Sequence, residues 1–336
     1  MILPSRRTIL AASLPFLAIR RASAQAGVPS DGYPNRPIRL IVGFPPGGTT
    51  DLVARIAADR LGALLGQTVV VENRSGAGGN VGAEFVARSE PDGYTLLMCV
   101  TSSAAINYTL YGRQMPYRPE DLAAVGLVTQ VPNAIFVTPS LPVHTLKELV
   151  EYARAHPRQL NYGSSGIGTT LHLTGELLKM AAGIEMTHVP FRGSGPMLQE
   201  VIAGRLQVGV DNMPSCIGHI RDGRLRPLAV TGASRSPALP GVPSTTEAGF
   251  PSVQSTAWFG VQAPARTPQP IIDRLGAGID ALVKEPATRA RLAELGGEPP
   301  GLTPDGGTSP TAFAAFIRAE ITKWGEVVRK SGARTD

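Results

Sequence analysis

Two stretches of this 336-residue chain combine glycine and hydroxyl residues in a way that could hold a small anion. The first, GFPPGGTTD, spans Gly43–Asp51 and follows IRLIV, a predicted strand, and precedes a predicted helix. Glycine amides are unshielded, and the free N–H groups and positive dipole end of a helix attract carboxylate or phosphate. We therefore predict an anion site of amides and hydroxyls at Gly47, Gly48, Thr49 and Thr50, with a tight, threonine-capped turn as the alternative.

The second stretch, NYGSSGIGTTLHLTGELL, repeats this pattern over Asn161–Leu178. Two such loops, one from each of two lobes, would close on one anion from both sides. His172, just inside the predicted helix, is expected to be a packed or hydrogen-bonded residue rather than a ligand or a base. The glycine and hydroxyl residues at this helix start are Ser164, Ser165, Gly166, Gly168, Thr169 and Thr170.

Two aspartates stand at predicted strand-to-helix junctions, and each has two possible roles. Asp51 can cap the helix or contact the ligand. Its charge favours the helix dipole but would repel an anionic ligand unless it is used by backbone amides or by a ligand ammonium. Asp211, in VGVDNMPS, can cap the next helix or point into a cleft. A third strand end, MCVTSSAAIN, adds the hydroxyls of the 101–103 segment, which includes Ser102 and Ser103.

The sequence contains no motif that indicates catalysis or cofactor binding. No serine has the G-x-S-x-G frame, no G-x-x-x-x-G-K-[ST] segment is present, and the histidines show no zinc-binding spacing. GAGGNVG, at Gly76–Gly82, is only weak evidence for a dinucleotide loop. We therefore expect no enzymatic activity, no cofactor and no metal.

Residues 1–26 are typical of a cleaved export signal. Arg6 and Arg7 precede a short apolar run, and ASA and AQA supply cleavage sites after Ala24 or Ala26. The run is shorter than the ~20 residues of a membrane span, and the paired arginines favour the twin-arginine route over general secretion. We expect a periplasmic protein.

Removal of this segment also lowers the positive charge. It contains four arginines and no acid, so the formal net charge of +6 falls by 4, to +2. No dense Lys/Arg tract follows and only 5% of residues are aromatic, which argues against a nucleic-acid partner. Cys99 and Cys216 can form a disulfide or remain two buried thiols.

Apolar runs alternate with helical patterns from Ile38 onward, which predicts an α/β fold with ligands beyond the carboxyl ends of the strands. Runs this rich in Val, Ile and Leu are typical of buried parallel strands. The runs are IRLIV, TVVVE, YTLLM, AIFVT, LNYGS, MTHVP, LQVGV and PLAVT. The helical patterns are Asp51–Leu65, Leu146–Ala155, Thr170–Ala182, Ser194–Ala203 and Thr311–Arg329.

The chain length predicts two domains. Two extended stretches, Val125–Ser140 and Ser255–Pro264, indicate that the chain leaves one lobe near residue 130 and returns near residue 255. This is the layout of a hinged clamp, with two doubly wound sheets joined by two crossover strands. We assign 27–129 plus 256–336 to lobe 1 and 130–255 to lobe 2; two consecutive domains with one linker are the alternative.

The sequence resembles the periplasmic substrate-binding proteins of tripartite tricarboxylate transporters, the Bug-type receptors. The resemblance runs from Tyr33 to Ser331 and lies in YPNRPIRLIVGFPPGGTTD, VVENRSGAGGNVGAEFVARSEPDGYTLL, YGSSGIGTTLHLTGE, VPFRGSGP, VDNMPS, LAVTGASRS and WFGVQAPARTP. It implies a two-lobed, type II binding protein without catalytic activity. Such a receptor binds a small carboxylate and delivers it to a membrane permease with one large and one small subunit.

By position, the resemblance also implies which residues contact the ligand. In the two loops these are Phe44, Gly47, Gly48, Thr49, Asp51, Ser164, Ser165, Gly168, Thr169 and Thr170, with Ser102, Ser103 and Asp211 as cleft neighbours. We expect a monomer. A receptor that docks on a sensor protein instead of its own permease, and an exported hydrolase or oxidoreductase, are the alternatives.

Overall fold

The computed structural model describes residues 32–335, so the predicted export signal lies outside the described residues. Strands and helices alternate along most of this range, as the apolar runs predict. The strands are β1 Ile38–Val42, β2 Val69–Asn73, β3 Thr95–Val100, β4 Leu122–Val137, β5 Asn161–Ser164, β6 Thr187–Pro190, β7 Val208–Asn212, β8 Arg226–Val230 and β9 Thr256–Pro264. The α-helices are α1 Thr49–Leu65, α2 Asn80–Ala87, α3 Asn107–Tyr111, α4 Leu146–Ala155, α5 Thr170–Ala182, α6 Ser194–Ile202, α7 Met213–Arg221, α8 Gln269–Lys284, α9 Pro286–Glu294 and α10 Pro310–Ser331. A π-helical turn, Ser102–Ile106, leads directly into α3.

The strands form two sheets that share β4. In the first sheet the order is β2-β1-β3-β9-β4; β1 is parallel to β2 and β3, and β9 is antiparallel to both of its neighbours. In the second sheet β4 lies between β8 and β7 and is antiparallel to both. β7, β5 and β6 follow in parallel. The result is the two-lobed α/β architecture that the sequence predicts.

Strand β4 carries the chain from one sheet to the other. Leu122–Pro132 pairs with β9, whereas Asn133–Val137 pairs with β7 and β8. Pro132 lacks the N–H that would continue a ladder, which suits the point where the partner strand changes. The chain returns through Ser255, and β9 then pairs only within the first sheet. The two predicted crossover strands are therefore one long shared strand and a short return segment.

Two of the predicted parallel strands have the opposite direction. AIFVT overlaps the end of β4 and PLAVT overlaps β8, and these two strands pair antiparallel with each other. A strand buried on both faces shows the same continuous apolar run whatever the direction of its neighbours, so the run does not reveal direction. The helix predictions at Leu146–Ala155 and Thr170–Ala182 are confirmed to the residue.

The C-terminal helices pack on the first sheet. α8 contacts β4 and α1, and α10 contacts β4, the π-helical turn and, in the second lobe, α5. Trp258 of β9 and Trp324 of α10 both donate their indole N–H to Oε2 of the buried Glu320, at 2.9 and 2.8 Å, which anchors α10 to the first lobe. From residue 32 to 335, no helix combines the length and the apolar character needed to cross a membrane.

The two cysteines are separate buried thiols. Cys99 lies on β3 and Cys216 on α7, and neither forms a disulfide. Burial raises the pKa of both thiols, which disfavours the reactive thiolate form. Of the two alternatives open for these cysteines, the structure shows the pair of thiols.

Candidate functional site

A small cavity lies between the lobes, at the carboxyl ends of β1, β3, β5 and β7. Its space open to water is about 40 Å³, which is room for about three water molecules. A site of this size fits one compact polar group, such as a carboxylate. Its lining residues are Phe44, Pro45, Gly48, Thr49, Thr50, Val100, Thr101, Ser102, Ser165, Thr169, Thr170, Leu171, Gly193, Ser194, Asn212, Ala257 and Phe259.

A larger cavity adjoins the small one. It has an open volume of about 500 Å³ and is lined by the glycine-rich 75–79 segment and by Arg192. The two cavities share four lining residues, which are Phe44, Pro45, Ser165 and Gly193. A ligand whose anionic end occupies the small cavity therefore has room for the rest of its chain here.

The lobes touch each other around the small cavity. Across the cleft, Oγ1 of Thr49 and Oγ of Ser215 are hydrogen-bonded at 3.0 Å. A Cβ placed on Gly168 would lie 2.5 Å from Oδ1 of Asn107 in the first lobe, so the two lobes pack closely there. The two lobes are therefore in direct contact beside the cavity.

Two helix N-termini face this cavity from opposite lobes. α1 begins at Thr49 and α5 at Thr170. In the described part of the chain, no hydrogen bond satisfies the backbone N–H groups of Thr49, Thr50, Thr170 or Leu171, all of which line the cavity. Unsatisfied first-turn amides and the positive ends of two helix dipoles therefore converge on one small space, which favours an anion.

Two threonine hydroxyls provide hydrogen-bond donors to the cavity in addition to these amides. The hydroxyls of Thr50 and Thr170 have no partner between residues 32 and 335 and line the cavity. Thr169 differs, because its hydroxyl donates to O of Gly166 at 2.7 Å and accepts the N–H of His172 as a helix cap. The Thr49 hydroxyl is bound to Ser215 across the cleft. The free hydroxyls thus belong to the second threonine of each pair.

Asp51 holds the first loop in shape. Its carboxylate accepts the N–H of Gly47 at 3.0 Å, the side-chain amide of Asn73 at 3.0 Å and two bonds from Arg55 at 2.9 and 3.0 Å. Burial raises the pKa of Asp51, but the hydrogen bonds from Arg55, Gly47 and Asn73 outweigh it, and the pKa is lowered overall. Asp51 does not cap α1, whose N-cap position, Gly48, has no side-chain hydrogen bond, and neither Asp51 nor Gly47 lines the cavity.

Two stacked histidines support the second loop. Nδ1 of His172 accepts the N–H of Gly168 at 3.3 Å, and Nε2 of His188 hydrogen-bonds to Oγ of Ser164 at 2.7 Å. The ring centroids are 4.1 Å apart. Burial is the main reason that the pKa of both is lowered, to about 3 for His188, so both rings are neutral near pH 7. The prediction that His172 is hydrogen-bonded and packed is confirmed, and Ser164 and Gly168 shape the loop from behind the cavity.

Asp211 lies fully buried behind the cavity wall. Its Oδ1 accepts the Ser194 hydroxyl at 2.7 Å and the N–H of Asn212 at 2.9 Å, and its Oδ2 accepts the Ser215 hydroxyl at 2.7 Å. Burial raises the pKa of Asp211 to about 6, against the opposing effect of these hydrogen bonds. It makes no salt bridge with any described cation. Asp211 therefore reaches the cavity only through hydroxyl groups.

The cavity wall includes part of the predicted set. Those that line it are Phe44, Gly48, Thr49, Ser102, Ser165, Thr169 and Thr170; those that lie behind it are Gly47, Asp51, Ser103, Ser164, Gly168 and Asp211. Ser103 is turned away because its hydroxyl lies 3.3 Å from O of Val100 within its own turn.

Sequence reasoning missed several lining residues. Ser194 and Gly193 belong to FRGSGP, a third loop that joins a strand to a helix with glycine and serine, so the pattern of the first two loops would have found them. Asn212 follows Asp211 directly. Ala257 and Phe259 come from β9, where only the pairing of β9 with β3 and β4 places them at the cavity.

Comparisons with known proteins agree with one another. A family profile described as "Tripartite tricarboxylate transporter family receptor" matches residues 53–333. The protein BugT of Bordetella pertussis is 38% identical over 318 residues, which are 94% of this chain and 95% of BugT. An R. palustris protein solved with adipate is 40% identical, with a TM-score of 0.86 over 90% of this chain and 99% of that one. MatC from Rhodopseudomonas palustris, solved with malate, is 32% identical, with a TM-score of 0.82 over 88% of this chain and 100% of MatC.

Proposed function

The chain belongs to the tripartite tricarboxylate transporter receptor family, whose members are periplasmic solute receptors, and we propose that it binds a small carboxylate between its lobes. One observation carries the proposal: the N-termini of α1 and α5 bring unsatisfied amides to the same cavity from opposite lobes. Relatives solved with adipate and with malate support a carboxylate as the anion.

Ligand binding and lobe closure are linked in this proposal. The amides of Thr49 and Thr50 come from one lobe and those of Thr170 and Leu171 from the other, so one carboxylate can contact both sets only when the lobes are closed. A ligand shifts the balance towards the closed form only as far as its contacts there are better than in the open form. The carboxylate therefore acts as the link that holds the lobes together.

We propose that the closed, ligand-bound receptor docks on a permease with one large and one small membrane subunit and delivers the carboxylate to it. The receptor is proposed to be a monomer in the periplasm, exported by residues 1–26. Lobe boundaries at residues 129/130 and 255/256 are supported by β4, which changes partners between Pro132 and Asn133, and by the start of β9 at Thr256.

A thermal-shift screen of mono-, di- and tricarboxylates tests the binding proposal. A ligand at 100 times its dissociation constant should add about 2.7 kcal/mol to the free energy of unfolding. The amide analogue of each acid, such as succinamide for succinate, is the matched control, because it keeps the shape and removes the charge. A panel in which no acid raises the unfolding temperature above its amide would contradict the proposal.

A further inference from the structure

The hydrogen-bond directions around Asp211 can be worked out from the number of protons available. A hydroxyl has one proton, and an ionised carboxylate only accepts, so Ser194 must donate to Asp211. The single proton of Ser215 is likewise used, by Asp211 at 2.7 Å or by O of Asn212 at 3.0 Å. In the bond between Thr49 and Ser215, the donor is therefore Thr49. Ser194 and Thr49 then offer only lone pairs to the cavity.

Asn212 presents an acceptor to the same space. The Thr174 hydroxyl donates to O of Thr170 at 2.7 Å, so Asn133 must donate its amide to Thr174, at 2.8 Å. Oδ1 of Asn133 is then left to accept the side-chain amide of Asn212 at 2.6 Å. This arrangement leaves Oδ1 of Asn212, a lining residue, without a partner in the described range.

The cavity therefore has two chemically different sides. The helix N-terminal amides supply donors, whereas the acceptor wall, which we define as Ser194, Asn212 and the Thr49 hydroxyl, supplies lone pairs. The hydroxyls of Ser102 and Thr169, whose protons go to O of Gly78 and O of Gly166, add lone pairs elsewhere on the lining. The two sides meet at Thr49, whose free N–H belongs to the first and whose hydroxyl belongs to the second. In a space for about three waters, groups bound by the two sides must be on the same or neighbouring atoms of a ligand.

We propose that the acceptor wall binds a hydrogen-bond donor next to the ligand carboxylate, so that the preferred ligand is a 2-hydroxy or 2-amino acid, with Asp211 as the residue that positions the wall. This inference rests on the proposed function and deepens it. A plain acid would place C–H groups against these lone pairs and leave them unsatisfied, which costs binding affinity. A ligand ammonium would in addition approach the buried charge of Asp211, which has no cation of its own.

Matched acids test this preference directly. Calorimetric titrations at pH 7.5 would compare succinate, malate and aspartate, which differ only at C2, and propionate, lactate and alanine as a shorter series. In the first series we expect malate or aspartate to bind about tenfold more tightly than succinate. If the site prefers the shorter acids, we expect the same advantage for lactate or alanine over propionate. The two substituted acids of each series distinguish a hydroxyl from an ammonium.

Two serine variants test the role of the wall itself. Ser194→Ala deletes one acceptor, and Ser215→Ala releases the Thr49 hydroxyl, which can then turn and donate into the cavity. Each should lower the ratio of malate to succinate affinity about fivefold. Ser331→Ala is the matched control, since the Ser331 hydroxyl lies 3.1 Å from a carbonyl oxygen three residues earlier, as the Ser215 hydroxyl lies 3.0 Å from one, but Ser331 is at the end of α10.

Asp211→Asn tests the buried charge. Asparagine keeps the shape, and its amide can donate to Ser215 while Ser215 donates to O of Asn212. We expect the preference for aspartate over malate to fall. Equal loss of affinity for all three acids in every variant would show a merely structural role and overturn the assignment.

The outcomes separate this inference from the proposed function. Plain acids that bind within twofold of their 2-substituted partners, or a screen that finds only acids without a donor at C2, overturn the inference and leave carboxylate binding intact. Failure of every acid contradicts the proposed function itself, and the inference falls with it.

Discussion

In both glycine-rich loops, a glycine with positive φ donates its N–H to a side chain four residues later, but the two side chains are chemically different. Gly47, with φ of 83°, donates to Asp51, and Gly168, with φ of 77°, donates to His172. Asp51 is charged and paired with Arg55. His172 is neutral and stacked on another histidine.

This difference shows which part of the loops the site depends on. The side chains that fix the loop shape differ and lie behind the wall, whereas the free first-turn amides are present in both loops and face the cavity. An anion bound by amides needs no charged side chain at the ligand, since the helix dipoles and N–H groups supply the attraction. The two loops therefore present the same groups to the cavity, free first-turn amides, but different side chains fix their shapes.

The largest expected effect comes from blocking access to the free first-turn amides, the feature that both loops share. Gly48 precedes α1 with φ of −82° and ψ of 170°, a conformation that any residue adopts, and a Cβ there would lie 3.9 Å from Oγ of Ser194 across the cavity. Gly48→Val should therefore fill the gap between the lobes and abolish the carboxylate-induced thermal shift, while the ligand-free protein unfolds as before. Gly241→Val is the matched control, because a Cβ on Gly241 meets nothing within 4 Å. An unchanged shift in Gly48→Val would contradict the site.

The second prediction concerns the pH dependence of stability, which should differ between the two loops. The pKa of His188 falls from the usual 6.5 to about 3, so the stability that comes from the neutral ring is present above pH 6.5 and is lost as the pH falls towards 3. Between pH 6.5 and 4 this loss is about 3 kcal/mol, and His188→Gln should flatten it. The pKa of Asp51 lies below the usual 3.8. Its ionised carboxylate therefore stabilises the folded protein at pH values above 3.8, and this stabilisation is lost only as the pH falls below 3.8.

Urea unfolding at a series of pH values would show both windows. Asp51→Asn should differ from the wild type in pH dependence only below about pH 4, by about 1 kcal/mol, because Arg55 is half exposed and its ion pair is screened by solvent. Parallel curves for wild type and His188→Gln between pH 6.5 and 4 would show that the histidine stack does not support the second loop as described.

The smallest expected effect compares the two glycines themselves. An alanine at either positive φ costs about 1 kcal/mol. At Gly47 a Cβ meets nothing within 4 Å, but at Gly168 it would lie 2.5 Å from Asn107 and 2.7 Å from Leu110 of the other lobe. Gly168→Ala should therefore destabilise by about 2 kcal/mol and Gly47→Ala by about 1 kcal/mol, measured by chemical unfolding. Equal losses would mean that the lobes are not in contact at Gly168 in solution.

Local patterns account for what could be predicted. The helix from Thr170 to Ala182 and its glycine-rich start depend on the 3.6-residue period and on a capping threonine, which neighbouring residues reveal. Strand direction could not be predicted for β4 and β8, because a doubly buried strand has one apolar run for either direction. Lining residues from β9 were missed because strand pairing brings Ala257 and Phe259 from more than 150 residues beyond β3.

The sequence by itself determined the alternation of strands and helices, the family, and the two loops whose helix starts can attract an anion. These features depend on residues close together in the chain, whose spacing is printed in the sequence. Only the tertiary structure decided that Asp51 binds Gly47 instead of lining the cavity, that Thr49 is bound across the cleft and that Asp211 sets the direction of the wall hydroxyls. Hydrogen-bond direction depends on which donors and acceptors meet after folding, and those partners here come from opposite lobes.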